Sequence, residues 1–313
     1  MDKITISTFQ LFQMFPDKES ARVYFESRLW PDGVRCPVCA SHEIATTKRA
    51  GFYRCNRCRR ADGKRITETF TVCTGTIFER SHVPLHKWLY AMYLLVTARK
   101  GISSLQLSKQ IGVTQKTAWF MLHRLREACG SDIDKLRGIV EVDETHVGGL
   151  EGNKHEYKKL HAGRGAVGKT TVIGLRERGG RMIAHPVEAT DRNTLQAAIH
   201  HHVEPGSTIH TDDSGAYEGL GGLFFLHDTV NHTAREYVRG NVHVNSIESV
   251  WAVLKRGVVG VYHKVSTKHL GRYVNEFAFR LNEGDVKRHT LERLDSMIAL
   301  TVGKRLTFAR LTA

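Results

Sequence analysis

Three acidic residues stand in settings suited to holding a hard cation: Asp143 in GIVEVDETHVGG, Asp212 in STIHTDDSGAY and Glu248 in HVNSIESVWAVLKRG. Divalent ions such as Mg2+ or Mn2+ take oxygen ligands, commonly one or two carboxylates completed by water and substrate phosphate. Two such ions roughly 3.5–4 Å apart can activate an attacking oxygen and stabilise a departing one in phosphodiester displacement. The chain has 32 acidic residues, most of which must be solvated surface, so residue type alone does not select these three. A second constellation is softer. Cys36-Pro-Val-Cys39 and Cys55-Asn-Arg-Cys58, separated by fifteen residues, have the spacing of two knuckles that present four thiolates to a structural Zn2+.

The elements around these residues are legible in the hydrophobic periodicity. Asp143 and Asp212 sit in or at the ends of short β-branched runs (Ile139, Val140, Val142; Thr208, Ile209), whereas Glu248 lies on a helical segment with Ile247, Val250, Trp251 and Leu254 as its apolar stripe. Asn245, Glu248, Ala252 and Lys255 share the opposite face, so a carboxylate there has a cation seven residues beyond it. GIVEVDETHVGG, KTTVIGLRERGG and RMIAHPVEAT read as three successive strands. DRNTLQAAIHHHV reads as a helix, STIHTDD as a fourth strand, FFLHDTV as a fifth, and the Glu248 segment as a closing helix. That is the order of a ribonuclease-H-like α/β fold, in which the first carboxylate lies on the first strand, the second at the end of the fourth and the third on a later helix.

The N-terminal half reads differently. A helix starting near Phe15-Pro16-Asp17 buries Ala21, Tyr24, Phe25 and Leu29, and the cysteine knuckles follow. Pro84 to Ala98 and Ser103 to Cys129 read as helical. Within them, SLQLSKQIGVTQKTAWFMLHRLREA has the organisation of a helix-turn-helix, with a turn at Gly112, Thr114 as N-cap, and Gln115 and Lys116 at the start of the second helix. In that motif such positions face base edges in the major groove; a plain helical hairpin in a core is the alternative. The predicted boundaries are 1–80 for the N-terminal helix and zinc ribbon, 81–132 for the helix-turn-helix domain, 133–285 for the ribonuclease-H-like domain and 286–313 for a helical tail.

With 46 Lys plus Arg against 32 Asp plus Glu, the net charge of +14 points to a polyanionic partner, nucleic acid before membrane. Arg54 and Arg57, with Lys48, Arg49, Arg59, Arg60, Lys64 and Arg65, make the ribbon basic. The start MDKITISTFQ lacks the pattern of a secretory signal, and the run Trp88 to Ala98 is too short to span a bilayer. A cytoplasmic protein, on the nucleoid when bound to DNA, is expected.

These stretches resemble DDE transposases of bacterial insertion sequences, in the branch with an N-terminal zinc ribbon. The matching runs are RCPVCAS and YRCNRC, TGTIFERSHVPLHKW, VEVDETHVGG, IHTDDSGAY, and HVNSIESVWAVLKRGVVGVYHKVSTKHLGRYVNEFAFRLN. The thirty-five residues between Asp212 and Glu248, and Lys255 seven beyond, follow the superfamily pattern. The resemblance implies binding of the element's terminal repeats, cutting at its ends, joining of the 3′ hydroxyls to target DNA with Mg2+ or Mn2+, and at least a homodimer on double-stranded DNA. Some relatives use Asn at the third position, and Asn245 is one turn from Glu248 on the same face. His243 and His263 flank this helix and either contact phosphate, support the metal ligands, or serve the fold. Lys268, His269, Arg272, Arg280 and Asn282 on the next helix are open in the same way. Competing readings are a DNA-binding regulator with an idle C-terminal domain and a nuclease of the same fold that cuts without joining.

Two further features are read as bland. The run from Gly163 to Thr170 fits a phosphate-loop pattern letter for letter, yet charged residues precede it and a strand follows, the reverse of what a phosphate loop requires. His200, His201 and His202 are consecutive at a helix end and point in different directions.

Overall fold

The computed structural model describes residues 5–59, 63, 69–130, 134–149, 152, 154–160, 167–222, 225–231, 234, 236 and 238–313. In chain order the first elements are α1 (Thr8–Met14), α2 (Lys18–Leu29), β1 (Ile44–Thr46), β2 (Tyr53–Cys55), α3 (Leu85–Thr97), α4 (Ser104–Ile111) and α5 (Gln115–Cys129). There follow β3 (Ile139–Val147), β4 (Thr170–Glu177), β5 (Met182–Val187), α6 (Arg192–His202), β6 (Thr208–Asp212), β7 (Leu226–Val230), α7 (Asn245–Gly257) and α8 (Thr267–Asn282). The chain ends with α9 (Thr290–Ala299) and α10 (Phe308–Thr312). Residues 1–129 together with 283–313 make one compact unit, and residues 130–282 make the other.

In the first unit, side chains at the helix starts satisfy the amides a helix leaves unpaired. Asp17 accepts from Glu19 N and Ser20 N at 3.0 and 2.8 Å to start α2. Thr114 Oγ1 accepts from Thr117 N at 3.2 Å at the head of α5. Helix α2 buries Ala21, Phe25 and Leu29. Tyr24 differs from expectation in being only partly buried, because its hydroxyl reaches Asp295 on α9, which also pairs with Arg28 at 2.9 Å. Helix α3 is apolar on most sides beyond its first turn and buries Trp88, Leu89, Ala91, Met92 and Leu95. The C-terminal residues belong to this core: the buried Arg293 of α9 donates to Val96 O at 2.7 Å, and Ile77 N donates to Thr301 O at 3.1 Å. Helices α4 and α5 are joined by a turn in which Gly112 takes φ 63°, a left-handed conformation suited to glycine.

The second unit is a five-stranded sheet in the order β5-β4-β3-β6-β7, with β3, β4 and β5 antiparallel and β6 and β7 running parallel to β3. Helices cover both faces. Val140, Val142, Ile173, Leu175 and Ile209 pack with Leu195 and Ile199 of α6, while Val147, Val172, Met182 and Ala184 pack with α7 and α8. This is the ribonuclease-H-like arrangement. Because side chains alternate across a strand, β3 sends Glu141, Asp143 and Thr145 toward α7 and Val140, Val142 and Glu144 toward α6.

Candidate active site

Strand pairing brings two of the three carboxylates to the same end of the sheet. β3 and β6 run parallel with Glu141 beside His210 as their last pair, and Asp143 and Asp212 each lie two residues further along, on the α7 face by alternation. Asp212 closes its strand and accepts from Ser214 N at 3.2 Å, which turns the chain away from the sheet.

Helix α7 is seated by a cradle that the strands provide. Gly174 pairs with Asp143 across β3 and β4. A Cβ at Gly174 would lie 2.4 Å from Cζ2 of Trp251, so only glycine leaves room for the indole. Trp251 Nε1 then donates to Asp143 Oδ2 at 3.0 Å. Ile247, Val250, Trp251 and Leu254 are buried, and Glu248, in the first turn, is exposed on the other side with Asn245 and Lys255.

The electrostatics tie the three acidic groups together. The Asp143 carboxyl is pushed up to about 6 by burial and by the negative charges of Asp212 and Glu248, against its bonds to the Glu144 amide and Trp251. The negative charges of Asp212 and Glu248 thus bear on Asp143, a state that a divalent cation relieves, and the donor set is the hard one that Mg2+ or Mn2+ takes. The three carboxylates are spread more widely than the thiols described below, since among the described residues only Cys36, Cys39 and Cys55 bring three potential ligand atoms within 4.8 Å of one another.

Several residues around this site carry no motif signal. Glu144, on the opposite face from Asp143, is pushed up to about 7 by burial and by Asp143 and Asp212, while Tyr217 donates to it. Glu141 is fully buried and ion-paired with Arg178 at 3.0 Å. Only the alternation of β3, which puts a second acid on the face of Asp143, hinted at it. His243 Nδ1 lies 3.3 Å from Glu141 Oε1, and its carbonyl accepts from Arg178. Lys255 lies near His146, whose imidazole is held down by burial and by the charges of Lys169 and Lys255. His263 is exposed with φ 58° at the end of a π turn over Val258–Tyr262. On α8, Arg280 pairs with Glu276, and Asn282 bridges the amide and carbonyl of Met182 at 2.8 Å each, so both are taken up by the fold.

In the other unit, β1 and β2 form a hairpin between the knuckles, and the Cys36, Cys39 and Cys55 thiols converge. Cys58 stands beside them: its amide donates to Cys55 Sγ at 3.3 Å, and its thiol is pushed up to about 11 by burial, by Cys39 and by Cys36. Four crowded sulfurs from two knuckles are the donor set of a structural zinc. Arg54 is exposed on β2, and Arg57, 3.7 Å from Glu43, is exposed next to the second knuckle. Arg60, Lys64 and Arg65 lie outside the described residues, as do Gly163 to Ala166 of the phosphate-loop-like run. Gln115 and Lys116 are exposed at the head of α5; Gln115 Nε2 donates to Ser104 Oγ at 2.8 Å, and the Lys116 ammonium lies 4.7 Å from the Phe308 ring centre. His202 packs on His185 with ring centres 5.2 Å apart and is held down to about 4 by burial and by His185 and His201. Among the described residues no helix is long and apolar enough to cross a membrane.

Comparison with known sequences gives both the class of this chain, a transposase, and its family. The profile of the ISXO2-like transposase domain matches residues 135–282, and that of the transposase zinc-ribbon domain matches residues 16–61. A protein of Halobacterium salinarum described as an "Uncharacterized protein in transposable element ISH50" is 32% identical over 267 residues, spanning 80% of this chain and 86% of that protein. The chain belongs to the ISXO2-like transposase family.

Proposed function

We propose that this chain is an insertion-sequence transposase that binds the terminal repeats of its element, cuts DNA at the ends and joins the freed 3′ hydroxyls to target DNA. The observation that supports the reading is the seating of α7, which carries Glu248, on the sheet through the Trp251 indole bonded to Asp143, with Asp212 at the end of the strand beside β3. Asp143, Asp212 and Glu248 would hold two Mg2+ or Mn2+ ions, which when bound supply activation of the attacking oxygen and stabilisation of the leaving one. The chain's own residues do the rest. Trp251 holds Asp143 by its indole N–H, so that one carboxylate oxygen keeps a fixed direction. Lys255, two turns beyond Glu248, gives a charge for a DNA phosphate, and Asn245 lies on the same face as an additional oxygen donor. His243, tied to Glu141 and Arg178, supports the approach of α7.

In the first step water attacks the phosphorus at the element end, leaving a 3′ hydroxyl on the element and a 5′ phosphate on the flank. In the second step that hydroxyl attacks a target phosphodiester, one P–O bond forming as another breaks, with no external energy source. Recognition of the ends is assigned to Gln115 and Lys116 of α5 and to Arg54 and Arg57 of the ribbon, whose fold Cys36, Cys39, Cys55 and Cys58 hold through zinc. Joining of two ends calls for at least a dimer on DNA.

The test is incubation of the protein with a labelled fragment carrying the ends that flank its gene and a supercoiled plasmid, with Mg2+ or with chelator. Mg2+-dependent nicking with label joined to plasmid is expected. Nicking without joining would make it a nuclease, and binding without either product would make it a regulator.

A further inference from the structure

Helix α7 begins without a cap of its own: its N-cap residue, Val244, offers no side-chain hydrogen bond. The first amides of a helix need acceptors, and the helix dipole favours a negative charge beside them. Glu141 supplies both from a strand 105 residues away. Its Oε2 accepts from Ser246 N at 2.8 Å and Ile247 N at 3.2 Å, and its Oε1 accepts from Ser246 Oγ at 2.8 Å. The carboxylate has no exposed surface, and its charge is sustained by these donors, by Arg178, whose Nε and Nη2 donate to Oε1 at 3.1 and 3.0 Å, and by His243, whose Nδ1 lies 3.3 Å from Oε1. Arg178 in turn donates to Asn241 O at 2.6 Å and His243 O at 3.1 Å, fixing the chain that leads into the helix. Arg176, paired across the sheet with Glu141, donates to Ser246 O at 2.7 Å, so both polar ends of the Ser246–Ile247 peptide are held by neighbouring strands.

This joint lies two residues from Asp143 on β3 and one residue from Glu248 on α7. We infer that Glu141 is a positioning residue that sets the separation of Asp143 and Glu248, and so the affinity of the site for divalent cations; this rests on the assignment of those two residues as metal ligands. Glu141 touches neither cation nor DNA. Its charge and its reach act on α7. A glutamine in its place keeps the size but puts an amide N–H2 against the α7 amides or Arg178, and the first turn of α7 loses its anchor.

The test is Mn2+ binding to the full zinc-retaining chain by titration calorimetry, with Asp143→Asn to identify the signal belonging to this site. Glu141→Gln should weaken that binding about 10- to 100-fold, the range seen when residues that orient metal ligands are replaced. Ser246→Ala, which removes one bond to Glu141 and leaves the charge, should weaken it less and decides the matter if Glu141→Gln does not fold. Leu195→Ala, in the core on the other face of the sheet, should lower the melting temperature and leave Mn2+ affinity at the wild-type value. Unchanged affinity in Glu141→Gln would overturn the inference, and so would an equal loss in Leu195→Ala. A wild-type chain that binds no Mn2+ sensitive to Asp143→Asn would instead overturn the assignment beneath it.

Discussion

The two donor clusters of this molecule differ in softness, in openness and in how they are held. The ribbon gathers thiols from two tight knuckles, with Cys36, Cys55 and Cys58 all buried and a hairpin of a few residues to brace them. The carboxylate cluster draws on a strand, the end of its neighbour and a distant helix, and leaves Glu248 exposed. A closed set of four soft ligands suits a metal that stays and holds a fold; an open set of hard ligands suits metals that share their coordination with a substrate. Local sequence builds the first, and tertiary packing builds the second.

If this contrast is right, breaking the ribbon should have the largest effect. Cys36→Ser removes one thiolate from a site of the kind worth on the order of 10 kcal/mol of folding free energy. Loss of bound zinc, unfolding of the ribbon and loss of end binding are expected, while residues 130–282 still melt cooperatively; full zinc content with unaltered melting would refute it. Next comes Asp143→Ala, which should lower end cleavage at least a thousandfold, about 4 kcal/mol of transition-state stabilisation. Binding to the ends should stay close to wild type in a gel-shift assay, and cleavage at the normal rate would sink the site.

A finer break is Gly174→Ala, which forces the Trp251 indole off its seat. Overpacking of this kind costs about 1–3 kcal/mol, and the melting temperature should fall along with the cleavage rate. A variant with normal melting and normal cleavage would mean that the cradle does not hold the site.

The pH dependence of stability sharpens the comparison further. A carboxyl raised in the folded state keeps its proton longer there, so the stability it contributes is full below its unfolded value and is lost as pH rises through the folded one. For Asp143 the window runs from 3.8 to about 6, and for Glu144 from 4.5 to about 7. Without added Mg2+ the melting temperature of residues 130–282 should fall across pH 4 to 7. Asp143→Asn and Glu144→Gln should each flatten their part, and Mg2+ should relieve the Asp143 part most. A flat profile would mean that neither carboxyl is raised in the folded chain.

The smallest effect is expected at Lys116→Ala, which should weaken binding to the ends more than binding to unrelated DNA and reduce the salt slope by up to about 1. No change in slope would take Lys116 off the DNA.

Much of this was readable along the chain, because its signals are local. The alternation of β3, the apolar stripe of α7, the cysteine spacing and the Gly112 turn each depend on residues within a few positions, and the expected strands and helices stand where those patterns put them. β7 begins later than its apolar run suggested, at Leu226. Helix α1 went unread, since seven residues make too short a period and its capping box, Ser7 with Gln10, is a weak signal. Nothing local tells that Gly174 makes room for Trp251, that Glu141 caps α7, or that Arg293 fills a place beneath α3. Each of these depends on partners 77 to 197 residues away.

The way the first unit is closed bears on how the protein is made. Helices α9 and α10 complete a core begun by α1 to α5, so residues 130–282 are an insertion within it and emerge from the ribosome whole before that core can be finished. A message cut short after residue 282 yields the entire carboxylate sheet attached to a core that lacks Arg293, Leu294, Met297 and Ile298. In an element accumulating stop codons, late truncation therefore damages the opposite end of the protein from the one a linear map would suggest.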